Sequence, residues 1–324
     1  MEVARRAMGC DFAVLLNAGQ YARGQEVAMA ALDLVDALED QLSVYRETSE
    51  IMEVNRRAAH SPVAVERRLF DLFKLCLELH ERTAGAFDVT ATPLSKAWGF
   101  HRRQGRIPTD EELSVARGGV GSNHLQLDDA NGCVAFDKNV LEVDFGGIGK
   151  GYALDLAGKE LLATEVNDFL MHGGRSSIIA RGKRAGEPGW SVGIRNPLRP
   201  GKRLGQVTLI DTALSTSGAG SQFFRHAGRR YGHIIDPRSG QPAEGLLSTT
   251  VICPSAAEAD ALSTAFYVLG PEKVERYCEQ NPHVSAVLVT PGGDVGGMEV
   301  RTIGKAGELF TPEAGVESTD SDSA

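Results

Sequence analysis

The chain of 324 residues is short of the features that mark several protein classes. Its five cysteines (Cys10, Cys76, Cys133, Cys253, Cys278) are odd in number, widely spaced and without a Cys-x-x-Cys pair, which speaks against a disulfide framework or a zinc site. No apolar run approaches the ~18 residues needed to span a bilayer. Positive charge is in the minority: 34 Lys and Arg against 43 Asp and Glu leave a formal net charge of −9, which argues against a nucleic-acid surface. An internal repeat, an interior linker and a steady βαβ alternation are all missing. What is present is 42% hydrophobic residues, enough for a real core in one large or two small domains.

The most informative stretch is Leu141–Asp155, in which an alternating β-type run (Leu141, Val143, Phe145) enters the turn Gly146-Gly147-Ile148-Gly149-Lys150-Gly151 and a helical pattern follows. Strand, glycine turn and helix start together offer bare N–H groups and a positive dipole end to an anion, and Lys150 adds a full charge. The nucleotide-loop spacings fail. For Gly-x-x-x-x-Gly-Lys-Ser/Thr, Asp144 stands at the first glycine and Gly151 at the hydroxyl; for Gly-x-Gly-x-x-Gly, both registers end on a non-glycine residue, Tyr152 or Leu154. A tight turn with a surface lysine is the alternative.

Two further segments bear on that choice. Ser255 and Glu258 form a capping-box pattern ahead of a helix with Leu262, Phe266 and Leu269 on its core face. Asp260 and Thr264, an i, i+4 pair, then share a face and offer a carboxylate and a hydroxyl, a partial shell for Mg²⁺ if not merely a solvated face. In Tyr231–Gly240, Asp236-Pro-Arg-Ser-Gly240 reads as a turn after a short strand. This makes His233 either a structural histidine or, beside a phosphate loop and a metal pair, a general base.

Along the chain the patterns predict a strand over 12–16, helices over 24–43 and 66–83, a short helix capped by Thr109, and a hairpin around Asn131-Gly132. They continue with a helix over 149–163 and strands near 168–171, 177–181, 190–195, 206–211, 231–235 and 247–253. A helix over 255–268, another from 271 and strands near 284–289 and 298–303 follow. The fold class expected is α+β, mixed and largely antiparallel, in a single catalytic unit over residues 1–310. Residues 311–324, acidic, small and polar, are expected to be a disordered tail.

In chain order stand Met8-Gly9, Leu42-Ser-Val-Tyr45-Arg46 with Asn55, Gly85-Ala86-Phe87-Asp88-Val-Thr-Ala-Thr-Pro-Leu94, and Trp98-Gly99-Phe100. After them come Asp144–Asp155, Gly173-Gly174, Ser215-Thr-Ser217-Gly218, His233–Gly240 and Asp260-Ala-Leu-Ser-Thr264. On these blocks the chain resembles the FAD:protein FMN transferase family, formerly labelled thiamine-biosynthesis lipoproteins. The resemblance implies an α+β flavin-transferase fold and Mg²⁺-dependent transfer of FMN from FAD to a threonine hydroxyl of a target protein, with release of AMP. It implies a metal site at Asp260, Thr264 and a backbone carbonyl near Gly147. It also implies FAD contacts at Met8, Tyr45, Ala86, Phe87, Asp88, Asp144, Lys150 and Ile234, and a redox-pump or flavoprotein acceptor carrying an Asp-x-x-Ser/Thr-Gly-Ala-Thr-like motif. His233 is our candidate base within that reaction. The chain departs from the family at Ala219-Gly220, at Gly232 and at Arg175-Ser176-Ser177, positions that bear on target docking more than on FAD or metal. Two other readings compete with the transferase: a Mg²⁺-dependent FAD pyrophosphatase giving FMN and AMP, and a non-catalytic FAD-binding protein. The family is commonly an exported, periplasmic lipoprotein. Here only nine residues, with Arg5 and Arg6 and no apolar stretch, precede Cys10, so the chain as given is expected to be cytoplasmic, or else a mature or truncated form.

Overall fold

The computed structural model describes every residue except 200, 219, 221, 294–296 and 321–324. It is α+β, as the irregular mixture of patterns predicts. Two compact units emerge, residues 1–37, 148–220 and 245–324 in the first and residues 38–147 and 221–244 in the second. Both are discontinuous in sequence, so no linear boundary existed for composition to reveal.

The first unit is built on a nine-stranded sheet. Its order is Glu2–Ala7, Cys10–Leu16, Phe169–Gly173, Ser177–Arg181, Thr212–Ser217, Ser248–Cys253, Ser285–Pro291, Met298–Ile303 and Ser318–Asp320. All neighbours are antiparallel except the last pair. Leu170, Ile178, Leu214, Ile252 and Val287 share one core with Trp190, Val192, Ile194, Leu204, Val207 and Phe310. The latter lie in or beside a three-stranded sheet of Trp190–Arg195, Arg203–Leu209 and Phe310–Pro312. Because side chains alternate along a strand, Ser177, Ile179, Ala213 and Ser215 point to the other face, where helices Gly149–Ala163 and Ala256–Leu269 pack. Both faces are covered, which is why a strand such as Ser285–Pro291 reads as a continuous apolar run.

The second unit contains helices Glu50–Arg57, Arg67–Arg82, Thr92–Ala97 and Asp110–Gly118. It also holds a three-stranded sheet (Val63–Ala64, Cys133–Phe136, Leu125–Asp128) and the hairpin Phe223–His226 with Arg229–Gly232. Thr109 and Glu112 close the predicted capping box of Asp110–Gly118. Leu94, Trp98, Phe100 and Ile235 form a small core, and the Trp98 indole N–H donates to the Gly240 carbonyl at 2.8 Å. The predicted Asp236–Gly240 turn is held by a two-point ion pair from Arg238 to Asp236.

Four expectations are corrected. The run Leu141–Phe145 is not a strand. The Asn55 side chain takes both backbone groups of Val143, at 2.8 and 2.9 Å, and the Asp144 N–H goes to the Val89 carbonyl, so no ladder forms. The predicted strand 231–235 stops at Gly232, and Ile235 keeps only an isolated bridge to Pro242. The tail expected to be disordered from 311 instead pairs. Phe310–Pro312 adds to Arg203–Leu209, Ser318–Asp320 adds to Met298–Ile303, and 321–324 lie outside the described residues. Poverty in apolar side chains does not prevent a segment from completing the backbone hydrogen bonds of an open sheet edge. Finally, the patterns do not predict strand Thr212–Ser217, because its helix-facing side carries Ser215 and Ser217 with only Ala213 as an apolar residue. No described helix is long and apolar enough to cross a membrane.

Candidate active site

In the first unit the close approach of two helices builds a polar site. Asp155, on Gly149–Ala163, accepts from the Ser255 hydroxyl at 2.7 Å and from the N–H groups of Ala256 and Ala257 at 2.8 and 2.9 Å. A carboxylate thus caps the start of Ala256–Leu269, where the helix dipole favours negative charge. Ser255 accepts from the Glu258 N–H at 3.2 Å, the expected half of the capping box, while Asp155 supplies the rest. Gly151 lies where the helices meet: a Cβ there would stand 2.0 Å from the Ala256 carbonyl oxygen and 2.8 Å from the Ala257 Cα. Those are backbone atoms that cannot turn aside, so Gly151→Ala should force the helices apart. The expected cost is about 2–3 kcal/mol, within the range for overpacking, seen as a lowered thermal midpoint together with a lost site.

The anion at the start of Gly149–Ala163 is the protein's own. Asp260 is 5% exposed, and its Oδ2 accepts from the Gly151 N–H at 3.1 Å and from Lys150 Nζ at 3.3 Å. Its Oδ1 accepts from the hydroxyls of Ser177 and Ser215, each at 3.0 Å. These serines are direct cross-strand partners, and both are buried. One helical turn on, Thr264 Oγ1 lies 3.1 Å from Ser217 Oγ, which is also 2.8 Å from Ser263 Oγ. The helix start that looked phosphate-binding thus brings Lys150 onto Asp260, and Thr264 stands one turn further along the helix of Asp260. Ser177 and Ser215 escaped the sequence reading as site residues. Their available signal was a hydroxyl on the strand face opposite Leu214 and Ile178.

The groups that Asp260 and Thr264 themselves offer, a carboxylate and a hydroxyl, are oxygen donors, which fit Mg²⁺ rather than a thiolate or imidazole metal. Among the described residues no group of three or more His, Cys, Asp or Glu is placed to hold a metal, so the candidate rests on this mixed carboxylate and hydroxyl set. Met8 lies elsewhere in the same unit, half-buried with φ +49° in the two-residue turn between Glu2–Ala7 and Cys10–Leu16.

The second unit holds the other predicted positions. Asp88 is an internal hub: Oδ1 accepts from the Thr90 N–H, the Thr90 hydroxyl and the Ser122 hydroxyl, and Oδ2 from the Ser122 N–H. His80 lies 3.2 Å from it. Burial alone would raise the Asp88 carboxyl, but His80 and these donors hold it below its ordinary value, and Asp88 raises His80. Its side chain shapes the Ala86–Thr90 loop rather than facing outward. Ala86, Phe87 and Ile234 are buried as well. Gly147 lies against the Phe87 ring, with room for a Cβ at 3.5 Å. Asp144 accepts from the Gly146 N–H at 2.8 Å, yet burial pushes its carboxyl above the ordinary range. Tyr45 is 75% exposed and stacks on His101 with ring centroids 5.6 Å apart.

His233 follows strand Arg229–Gly232. Its Nδ1 lies 3.1 Å from the Gln222 carbonyl oxygen. A carbonyl only accepts, so Nδ1 carries the proton and Nε2 keeps a lone pair. Burial depresses the pKa, the Gln222 contact opposing it in part, so the ring stays neutral and proton-accepting at neutral pH. Of the departures, Ala219 lies outside the described residues, Gly232 ends its strand, and Arg175 occupies a hairpin turn with φ +64°.

The model of the ApbE family matches residues 8–288. The FAD:protein FMN transferase of Escherichia coli strain K12 is 31% identical over 285 residues, covering 86% of this chain and 80% of that protein. The enzyme of the same name from Treponema pallidum is 31% identical over 284 residues, covering 82% and 78%. Among solved structures, the apo form of Pseudomonas stutzeri flavinyl transferase ApbE matches with a TM-score of 0.85 at 32% identity, covering 97% of this chain and 98% of that one. A family match over most of the chain, joined to relatives and a fold of the same kind, establishes that the chain belongs to the ApbE family.

Proposed function

We propose that the protein transfers FMN from FAD to a threonine hydroxyl of a target protein, releasing AMP, with Mg²⁺ as cofactor. The observation that carries this is the buried Asp260 carboxylate facing Lys150 and a glycine-rich helix start, in a chain whose relatives bear the name FAD:protein FMN transferase. The threonine oxygen forms a bond to the phosphorus on the riboflavin side of the pyrophosphate. The bond from that phosphorus to the AMP oxygen breaks, and the threonine proton passes to a base. Such a reaction needs charge neutralised, a nucleophile positioned and a leaving phosphate stabilised. Bound Mg²⁺ would supply cationic charge to pyrophosphate oxygens, held by Asp260 and Thr264. Lys150 supplies a second positive charge, its Nζ being free to exchange a carboxylate for a phosphate. Nε2 of His233 is the proton acceptor. Asp144 suits a ribityl or ribose hydroxyl, and Met8, Tyr45, the Ala86–Asp88 run and Ile234 are assigned to the flavin or adenosine by family resemblance.

Incubation with FAD, Mg²⁺ and a substrate bearing an Asp-x-x-Ser/Thr-Gly-Ala-Thr-like motif, followed by mass spectrometry, tests the proposal. An FMN adduct on the motif threonine is expected. FMN and AMP without any adduct would identify a hydrolase instead. Lys150→Ala should raise the FAD concentration required, and high salt should reproduce part of that loss, because the contact is charge on phosphate. Equal binding of riboflavin and FAD by the parent protein would show that Lys150 does not read the pyrophosphate.

A further inference from the structure

The two oxygens of Asp260 are held by different kinds of partner, and we infer that Ser177 and Ser215 restrict this carboxylate to one-point metal coordination through Oδ2, thereby selecting a small octahedral cation over Ca²⁺. The inference rests on the reading of Asp260 as a metal ligand. A carboxylate only accepts, so each serine within 3.0 Å of Oδ1 donates to it. The hydroxyls lie 3.4 Å apart on adjacent strands, and each is at most 1% exposed. Neither can turn to water, and their separation is fixed by the strand register Ser215 opposite Ser177. Oδ1 therefore already accepts from two donors that the sheet holds still.

Oδ2 differs. The Gly151 N–H is fixed by its helix, but Lys150 reaches Oδ2 by a flexible stem whose side chain is 25% exposed. Lys150 is the displaceable partner, and its departure frees one direction on Oδ2 alone. Ca²⁺ commonly takes a carboxylate through both oxygens in a site of 6–8 ligands, whereas Mg²⁺ accepts single-oxygen ligands in a strict octahedron completed by water or phosphate. Blocking Oδ1 penalises the first arrangement and leaves the second intact. Ser177 and Ser215 are thus positioning residues that act through Asp260.

The test is equilibrium binding of Mg²⁺ and of Ca²⁺ alone, by calorimetry, to the parent protein, Ser177→Ala, Ser215→Ala and the double variant, with circular dichroism to confirm folding. The ratio of Ca²⁺ to Mg²⁺ affinity should rise roughly tenfold in the double variant and by less in each single one. The singles carry the test if the double variant fails to fold. An unchanged ratio in folded serine variants, with Mg²⁺ binding still abolished by Asp260→Asn, overturns this inference alone. Mg²⁺ binding that survives Asp260→Asn overturns the metal-site reading on which it rests.

Discussion

Asp260→Asn is expected to reduce FMN transfer by on the order of 10³-fold, since a catalytic metal contributes several kcal/mol to charge stabilisation and each 1.36 kcal/mol is tenfold in rate. Asparagine keeps the shape and an oxygen able to accept from Ser177, Ser215 or the Gly151 N–H, so the fold should survive. Asp260→Ala should abolish turnover too, but it also leaves two buried serine hydroxyls without an acceptor and Lys150 without its partner. Lost stability would then mix with lost chemistry, each unsatisfied buried group costing roughly 1–3 kcal/mol. Comparing the two variants separates these effects: both should lose activity, and only alanine should markedly lower the thermal midpoint. Thr264→Val should weaken metal use more mildly, and strong chelation should mimic Asp260→Asn. Activity that persists through chelation and through Asp260→Asn would remove the metal from the mechanism.

His233→Asn should slow transfer by roughly 10²–10⁴, the usual contribution of a positioned base, while FAD and Mg²⁺ binding stay nearly intact. In the parent protein the rate should rise with pH and then level off. The ring accepts a proton only when neutral, so the rise marks its deprotonation. Burial lowers the His233 pKa, so the midpoint should fall below the ordinary histidine value of about 6.5. The variant should lose that rise. A variant with the parent's rate and pH profile would make His233 structural, and one that no longer binds FAD would move it to the binding shell.

Much of this protein was legible as pattern. The i, i+4 pair Asp260 and Thr264, the glycine turn before Lys150 and the helix start at Ser255 are local features, and helix geometry or capping places them without help from distant residues. The structure keeps all three. Asn55, by contrast, has no local signal beyond its place in a family block, although its side chain replaces the ladder partner of an apparent strand from 88 residues away. Alternation in Leu141–Phe145 predicts a strand and says nothing of where its hydrogen bonds go.

The sequence by itself determined the α+β class, most helices and central strands, the candidate residues and the family resemblance, because hydrophobic period, caps and motif order are local. Tertiary structure alone decided four things. Oδ1 of Asp260 is engaged by two serines, because that depends on the register of strands 38 residues apart. The anion at the Lys150 loop is Asp260, because Gly151 lets two helices touch. Nε2 of His233 carries the ring's lone pair, because the Gln222 carbonyl takes the proton on Nδ1. The acidic C-terminal stretch forms strands, because open sheet edges elsewhere in the chain offered it hydrogen bonds. Each is a property of pairs remote in sequence, and periodicity along one segment carries no information about its distant partner.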